Sequence, residues 1–193
     1  MQCFLRGMEQ EQRDPLGVLE KKVDDLAALI KHSRHCVVST GAGISTSAGI
    51  HDFRGPDGLW TRRQLKLPKL AGVPAVQALP TLTHMALVAL LQAGDVKYMI
   101  SQNCDGLHRR SGIPTGKISE LHGNGNVEVC ENEACGRIYF RDFKCARWRN
   151  IHDHFTGRFC AACNGRLLNN IIDFGQDLPV GPLERARAQS RQA

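Results

Sequence analysis

The sequence predicts an α/β fold, a parallel sheet with helices around it and a small cysteine-bearing insert. Three observations carry this. Two short apolar, β-branched runs, "CVVST" (36–40) and "VKYMISQN" (96–103), end in glycine or polar residues, as buried strands do when their C-terminal ends open onto a ligand site. Helical periodicities precede both runs, and Gly94 stops the second. Two cysteine pairs near the C-terminal third mark a segment of different character.

In chain order, Asp14-Pro15 reads as a cap followed by proline at the first helical position. Leu19, Val23, Leu26 and Ile30 then recur at helical spacing, so 15–32 is an amphipathic helix whose apolar stripe is expected to be core. After the strand at 36–40, a short helix is expected near Ser45-Thr46. Residues 51–81, rich in Pro, Gly and charge, read as an irregular functional loop. "PTLTHMALVALL" (80–91) is a second helix, in which His84 is a packing or capping residue. "NNIIDFG" (169–175) reads as a strand returning to the first module, and "PLERARAQSRQA" as a polar helical tail. The divisions are a tail and helix over 1–35, the nucleotide-binding part over 36–125, the cysteine module over 126–168 and the return over 169–193.

With 193 residues, 42% hydrophobic and 23% charged, the chain has ordinary globular composition for one moderate domain or a core with an insert. No apolar run approaches the ~18 residues of a membrane span, and "MQCFLRGMEQEQRD" lacks an apolar signal core. The expectation is a soluble, intracellular protein without membrane contact. The net charge of +6 is uneven: residues 137–193 hold 10 Lys/Arg against 5 Asp/Glu, an excess of +5. That excess suits chromatin or nucleic acid, and equally a solvated basic surface.

Cys130-x4-Cys135 and Cys160-x2-Cys163 each supply half a tetrahedron, so together they predict a closed structural zinc site. The wider first spacing leaves Cys135 open to replacement by Cys145, His152 or His154. The segment has little apolar core, so metal is expected to contribute much of its folding free energy.

The stretch 40–60, "TGAGISTSAGIHDFRGPDGLW", resembles a phosphate-binding turn. Gly41 and Gly43 let backbone amides approach a pyrophosphate. The strict dinucleotide fingerprint wants a third glycine where Thr46 stands, and no second strand ending in an acidic residue follows. Pattern alone leaves a dinucleotide loop and a plain strand–helix turn equally open. Asn103 and Asp105 have a plain alternative as caps of the turn after the strand, and His108 as a satisfied polar residue.

The motifs "GAGIST", "GIHDFRGPDGLW", "PTLTHMAL", "SQNCDGLHRRSG", "SELHGN", the cysteine pairs and "IIDFGQDLP" occur in this order from about Val18 to Pro179. That order resembles the sirtuins, NAD-dependent protein lysine deacylases, and most of all their class IV branch, whose members are mostly nuclear. The resemblance implies a Rossmann-like sheet with an inserted zinc module. It implies that Gly41, Ala42, Gly43 and Ser45 line the NAD phosphates and that Arg54 serves ribose and phosphate oxygens. Ile50, Phe53, Asn103 and Asp105 would form the nicotinamide pocket, and Gln102 with Asn103 would hold the ribose or a water. His122 would be the general base and Asn103 a second catalytic residue. The implied reaction has the acetyl-lysine oxygen displace nicotinamide from NAD; His122 then deprotonates a ribose hydroxyl, leading to O-acetyl-ADP-ribose. Phe174 and Gly175 would line the acyl-lysine tunnel, with 174–177 pairing with an acetylated peptide, histone among the candidates.

Four residues depart from the family pattern. His51 stands where proline is usual, which is expected to loosen its loop. Cys104 replaces an Ile, Gly125 a bulky apolar residue and Gln176 a Glu. The resemblance also implies later strands and a glycine-serine NAD loop beyond Ala193, so the sheet is expected to be truncated. A catalytically impaired binding module and a mono-ADP-ribosyltransferase are the alternative readings.

Overall fold

The computed structural model describes residues 13–146 and 152–193; the predicted tail over 1–12 and the basic stretch 147–151 lie outside them. Helix α1 (Leu16–His32) leads into strand β1 (Cys36–Thr40), a 3-10 helix at Ala42–Ala48 and the short helix α2 (Leu59–Gln64). Helix α3 (Leu82–Ala93), strand β2 (Val96–Ser101), helix α4 (Leu107–Ser111) and strand β3 (Ile118–Glu120) follow. The three strands form a parallel sheet in the order β1-β2-β3. The β-branched runs of β1 and β2 suit a sheet covered on its faces. Leu87 and Val88 of α3 close one face against Val96, Met99, Ile113 and Ile118. Each such side chain contributes about 1.5–3 kcal/mol when fully buried.

Helix α3 begins at its cap and not at the proline before it. The Thr81 hydroxyl oxygen accepts from the His84 amide, and His84 Nδ1 accepts from the Thr81 amide, a reciprocal capping box. Gly94 ends the helix in the left-handed conformation. Helix α5 (Val180–Ser190) lies against β3, where the Ser119 hydroxyl donates to the Pro182 carbonyl at 2.7 Å.

The cysteine segment is a second, antiparallel sheet. Its strands β4 (Val127–Cys130), β5 (Ile138–Phe140), β6 (Phe155–Phe159) and β7 (Arg166–Asn169) lie in the order β5-β4-β7-β6. The fully buried Glu128 carboxylate accepts from Arg141 at 2.8 Å and from Arg158 at 2.6 Å. Burial raises the Glu128 pKa, but bonds from Thr156, Arg141 and Arg158 outweigh it and hold the carboxyl below its ordinary value. Two of the ten basic residues of the C-terminal part are thus committed internally.

Several expectations are corrected. Residues 169–175 are not a strand beyond Asn169. Side chains take the backbone donors there: Asn169 Oδ1 accepts from the Ile171 amide and Gln176 Oε1 from the Asp173 amide. The stripe on α1 is not core. No residue of α1 is buried, and Leu19, Val23 and Leu26 are 47%, 55% and 57% exposed, because no described element packs against that face. Asp14 pairs with Lys22 at 2.7 Å instead of capping the helix, and Pro15 takes the cap position. The short helix near Ser45 starts earlier, at Ala42, and is 3-10 throughout. The loop 51–81 is interrupted by α2. Among the described residues no helix is long and apolar enough to cross a membrane.

Candidate functional site

The site collects at the C-terminal ends of the three parallel strands, where open α/β sheets present their loops. The turn after β1 is bound to the loop after β2. Asn103 Nδ2 donates to the Gly41 carbonyl at 2.9 Å and lies 3.4 Å from the Ser45 hydroxyl. That hydroxyl donates to Asp105 Oδ2 at 2.7 Å, and Asp105 Oδ1 accepts from the Leu107 amide. Asp105 therefore caps α4 and orients Ser45 at once. The first amides of the 3-10 helix, Ala42 and Gly43, have no acceptor within it. A Cβ built on Gly41 or Gly43 would meet nothing within 4 Å. The face above the turn is open, with free amides on one side and a carboxylate and a carboxamide on the other, which fits an NAD-like ligand.

His122 follows β3. Its Nδ1 lies 2.9 Å from the Gln102 carbonyl. A carbonyl only accepts, so the proton sits on Nδ1 and the Nε2 lone pair is free. Nε2 has no hydrogen-bond partner among the described residues. Two groups fasten the backbone at this residue: the His122 carbonyl accepts from the Ile172 amide at 3.1 Å and from the Cys104 thiol at 3.1 Å. Burial, and then the charges of Asp105 and Glu120, push the Cys104 thiol up to about 12. It is thus an unionised donor at neutral pH, not a nucleophile.

Gly123 makes the turn possible. Its φ is +76°, and an added Cβ would stand 1.9 Å from the Asn170 carbonyl oxygen. Gly123→Ala is expected to cost about 2–4 kcal/mol, read as a lower urea midpoint with an unchanged slope. A stability equal to that of the parent chain would show that the 169–172 segment moves aside freely.

The other predicted residues are divided between two walls. Ile50 is half-buried, and Gln102 is exposed at the rim. Phe53 packs on Trp60 at 5.2 Å between ring centroids, Trp60 on Phe174 at 5.3 Å, and the Arg54 guanidinium lies 4.9 Å over the Trp60 ring. Trp60 thus joins the Phe53-Arg54 loop to the Phe174-Gly175 segment. Sequence reasoning assigned it no role, although the "DGLW" that carries it was in view. Phe174 is 81% exposed, and Gly175 adopts φ +87°. His51 does not leave its loop untethered. Its Nε2 donates to the Ala71 carbonyl at 3.0 Å, a bond proline could not make.

The sulfurs of Cys130, Cys135, Cys160 and Cys163 all lie within 4.8 Å of one another. Cys130–Cys163 is 3.4 Å and Cys135–Cys160 is 3.7 Å. A tetrahedron of ~2.3 Å metal–sulfur bonds has edges of about 3.8 Å, so this donor set fits a divalent metal with no open position. A Cβ on Gly165 would approach Cys130 Sγ to 3.0 Å, so glycine makes room for the cluster. The alternatives are placed elsewhere: Cys145 bonds the Phe143 carbonyl, His152 the Phe174 carbonyl and His154 the Asn169 and Gln176 side chains.

The Sir2 family model matches residues 41–73 and 67–193. The NAD-dependent protein deacetylase SRT1 of Arabidopsis thaliana is 47% identical over 184 residues, 93% of this chain and 38% of that protein. NAD-dependent protein deacetylase sirtuin-7 of Mus musculus is 44% identical over 177 residues, covering 92% and 44%. NAD-dependent protein deacetylase 1 of Bradyrhizobium diazoefficiens is 35% identical over 192 residues, covering 90% and 72%. A solved Sir2 holding a deacetylated p53 peptide and 3'-O-acetyl ADP ribose matches with a TM-score of 0.61 at 31% identity, covering 87% of this chain and 72% of that one. The chain spans only 38% and 44% of the length of the first two relatives.

Proposed function

The chain belongs to the Sir2 family, and from that premise we propose that it is an NAD-dependent protein lysine deacetylase. Acetyl-lysine, NAD and one water would give lysine, nicotinamide and O-acetyl-ADP-ribose. The observation that carries this reading is the His122 tautomer: the Gln102 carbonyl holds Nδ1–H and leaves Nε2 as a base. When bound, NAD supplies an electrophilic ribose carbon with nicotinamide as leaving group.

The amides of Gly41, Ala42 and Gly43, with Ser45, receive the phosphates, and Arg54 the ribose and phosphate oxygens. Ile50, Phe53, Asn103 and Asp105 enclose the nicotinamide, and Gln102 and Asn103 orient the ribose. His122 Nε2 takes the ribose hydroxyl proton, which turns that oxygen into a nucleophile toward the acetyl carbon. Phe174 and Gly175, extended by Trp60, hold the acyl-lysine.

Cys130, Cys135, Cys160 and Cys163 hold one structural zinc ion. The substrates we propose are acetylated nuclear proteins, histones among them, met in the nucleus. The basic side chains Arg185 and Arg187 of α5 and Arg191 just after it suit an acidic chromatin or nucleic-acid surface.

The test is incubation with NAD and an acetylated histone peptide, following nicotinamide and deacetylated peptide together. Equimolar release of both is expected. Label from NAD appearing on protein without deacetylation would replace this reading with ADP-ribosylation. No turnover by folded, metal-loaded chain would leave a binding module.

A further inference from the structure

Beneath the glycine turn lie two histidines that the proposed chemistry does not use. His84 is 0% and His108 3% exposed, and their rings are 4.8 Å apart. His84 Nε2 and His108 Nδ1 are both buried and have no hydrogen-bond partner among the described residues. Leaving two such groups unmade is costly, on the order of a lost hydrogen bond each, so their placement calls for a reason.

The partners that are present set the protonation of each ring. The Thr81 amide donates to His84 Nδ1 at 3.3 Å, which puts the His84 proton on Nε2. The Thr81 hydroxyl oxygen lies 2.8 Å from the same Nδ1 and 3.0 Å from the Ile44 carbonyl, so its one proton is shared between those two acceptors. On the other side His108 Nε2 meets Thr40 Oγ1 at 2.9 Å, and the Thr40 hydroxyl points to the Ile100 carbonyl at 3.5 Å. With the His108 proton on Nε2, its Nδ1 is an acceptor facing the Nε2–H of His84. The two unpartnered atoms are then a complementary donor and acceptor on rings 4.8 Å apart, which one buried water would join. A line of polar contacts thus runs from Ile44 through Thr81, His84 and His108 to Thr40. Its ends lie at the two sides of the turn 40–45.

We propose that His84 and His108 form a neutral brace that positions the Gly41–Ser45 turn for its nucleotide ligand, and that acid releases it. The nucleotide rests on the proposed function; the brace itself is a property of the unliganded chain. His84 and His108 are positioning residues that act through Thr81 and Thr40. A second proton would place two donors face to face and break the line at its middle. Asp105 attracts that proton, Arg110 disfavours it at His84, and His84 disfavours it at His108. Burial is the larger influence: it lowers His84 and takes His108 down to about 4. The folded chain therefore binds fewer protons than the unfolded chain below about pH 6.5. The contribution of the pair is complete above that pH and is lost as pH falls toward 4.

The test is amide hydrogen exchange over residues 42–46 in the ligand-free chain, with NAD affinity measured alongside. His108→Gln keeps an N–H for Thr40 and cannot titrate. It is expected to protect the turn like the parent chain at pH 7 and to stay protected at pH 5, where the parent loses about tenfold. His108→Phe and Thr40→Val are expected to raise exchange about tenfold at pH 7 and to weaken NAD about tenfold, with kcat within twofold. A folded Thr40→Val or His108→Phe with unchanged turn exchange would overturn the brace, as would a His108→Gln chain that keeps the acid response. If the parent chain binds no NAD, the exchange data still decide the brace, and only the proposed function falls.

Discussion

Chelating the metal, or replacing Cys160 with serine, is expected to unfold the β4–β7 sheet and disable the site with it. The apolar cluster of this module is Cys130, Cys160 and Leu167, with Cys135 and Tyr139 packed against it, so three of its five members are themselves candidate metal ligands. Structural zinc in small modules contributes roughly 10–16 kcal/mol of apparent binding free energy, more than such a cluster supplies by burial. The Glu128–Arg141–Arg158 triad cannot replace it, since a buried ion set roughly offsets its own desolvation. The damage reaches the site because β7 runs directly into 170–172, where the Ile172 amide holds the His122 carbonyl. One metal per chain by elemental analysis, and loss of exchange protection over 127–130 and 166–169 on chelation, are the expected readings. A metal-free chain with this sheet intact would refute the zinc assignment.

Removing the base is the second large effect. His122→Ala is expected to lower deacetylated-peptide formation by about 10²–10⁴-fold while leaving peptide and NAD affinities within twofold. His122→Asn sharpens the test. Its side-chain amide can still donate to the Gln102 carbonyl, as Nδ1–H does, but it has nothing in place of Nε2. It should be as inactive as alanine. An asparagine variant retaining activity would mean that His122 is there to shape the loop and that another group takes the proton.

Much of this was legible in the residues. β1 matches the apolar run 36–40, and β2 ends at Ser101, inside the run predicted over 96–103, because a β-branched run between polar ends has few other places to go. The cysteine pairs were legible because two ligands on one tight turn leave little freedom in where the metal sits. The turn glycines were legible as residues, but their chemistry was not. Gly41 and Gly43 suit a generic strand–helix turn equally well, and the bonds joining Asn103 to Gly41 and Ser45 to Asp105 across it are not written in the pattern.

The errors share one cause. The 169–175 run has strand composition, yet local side-chain acceptors took its amides, and a period-two reading does not count that competition. The α1 stripe has a correct helical period, but periodicity records which face is apolar and not whether anything covers it. His51 was read from what proline would have supplied, whereas its ring found the Ala71 carbonyl twenty residues on.

By itself the sequence determined the family, the parallel strands and the pairing of the four cysteines, since each rests on residue types at short, fixed spacings. Only the tertiary structure decided the tautomer of His122, the aromatic stack through Trp60 and the buried pairing of His84 with His108. Those depend on which distant carbonyl or ring lies within about 3–5 Å, a distance that chain order does not encode and packing alone supplies.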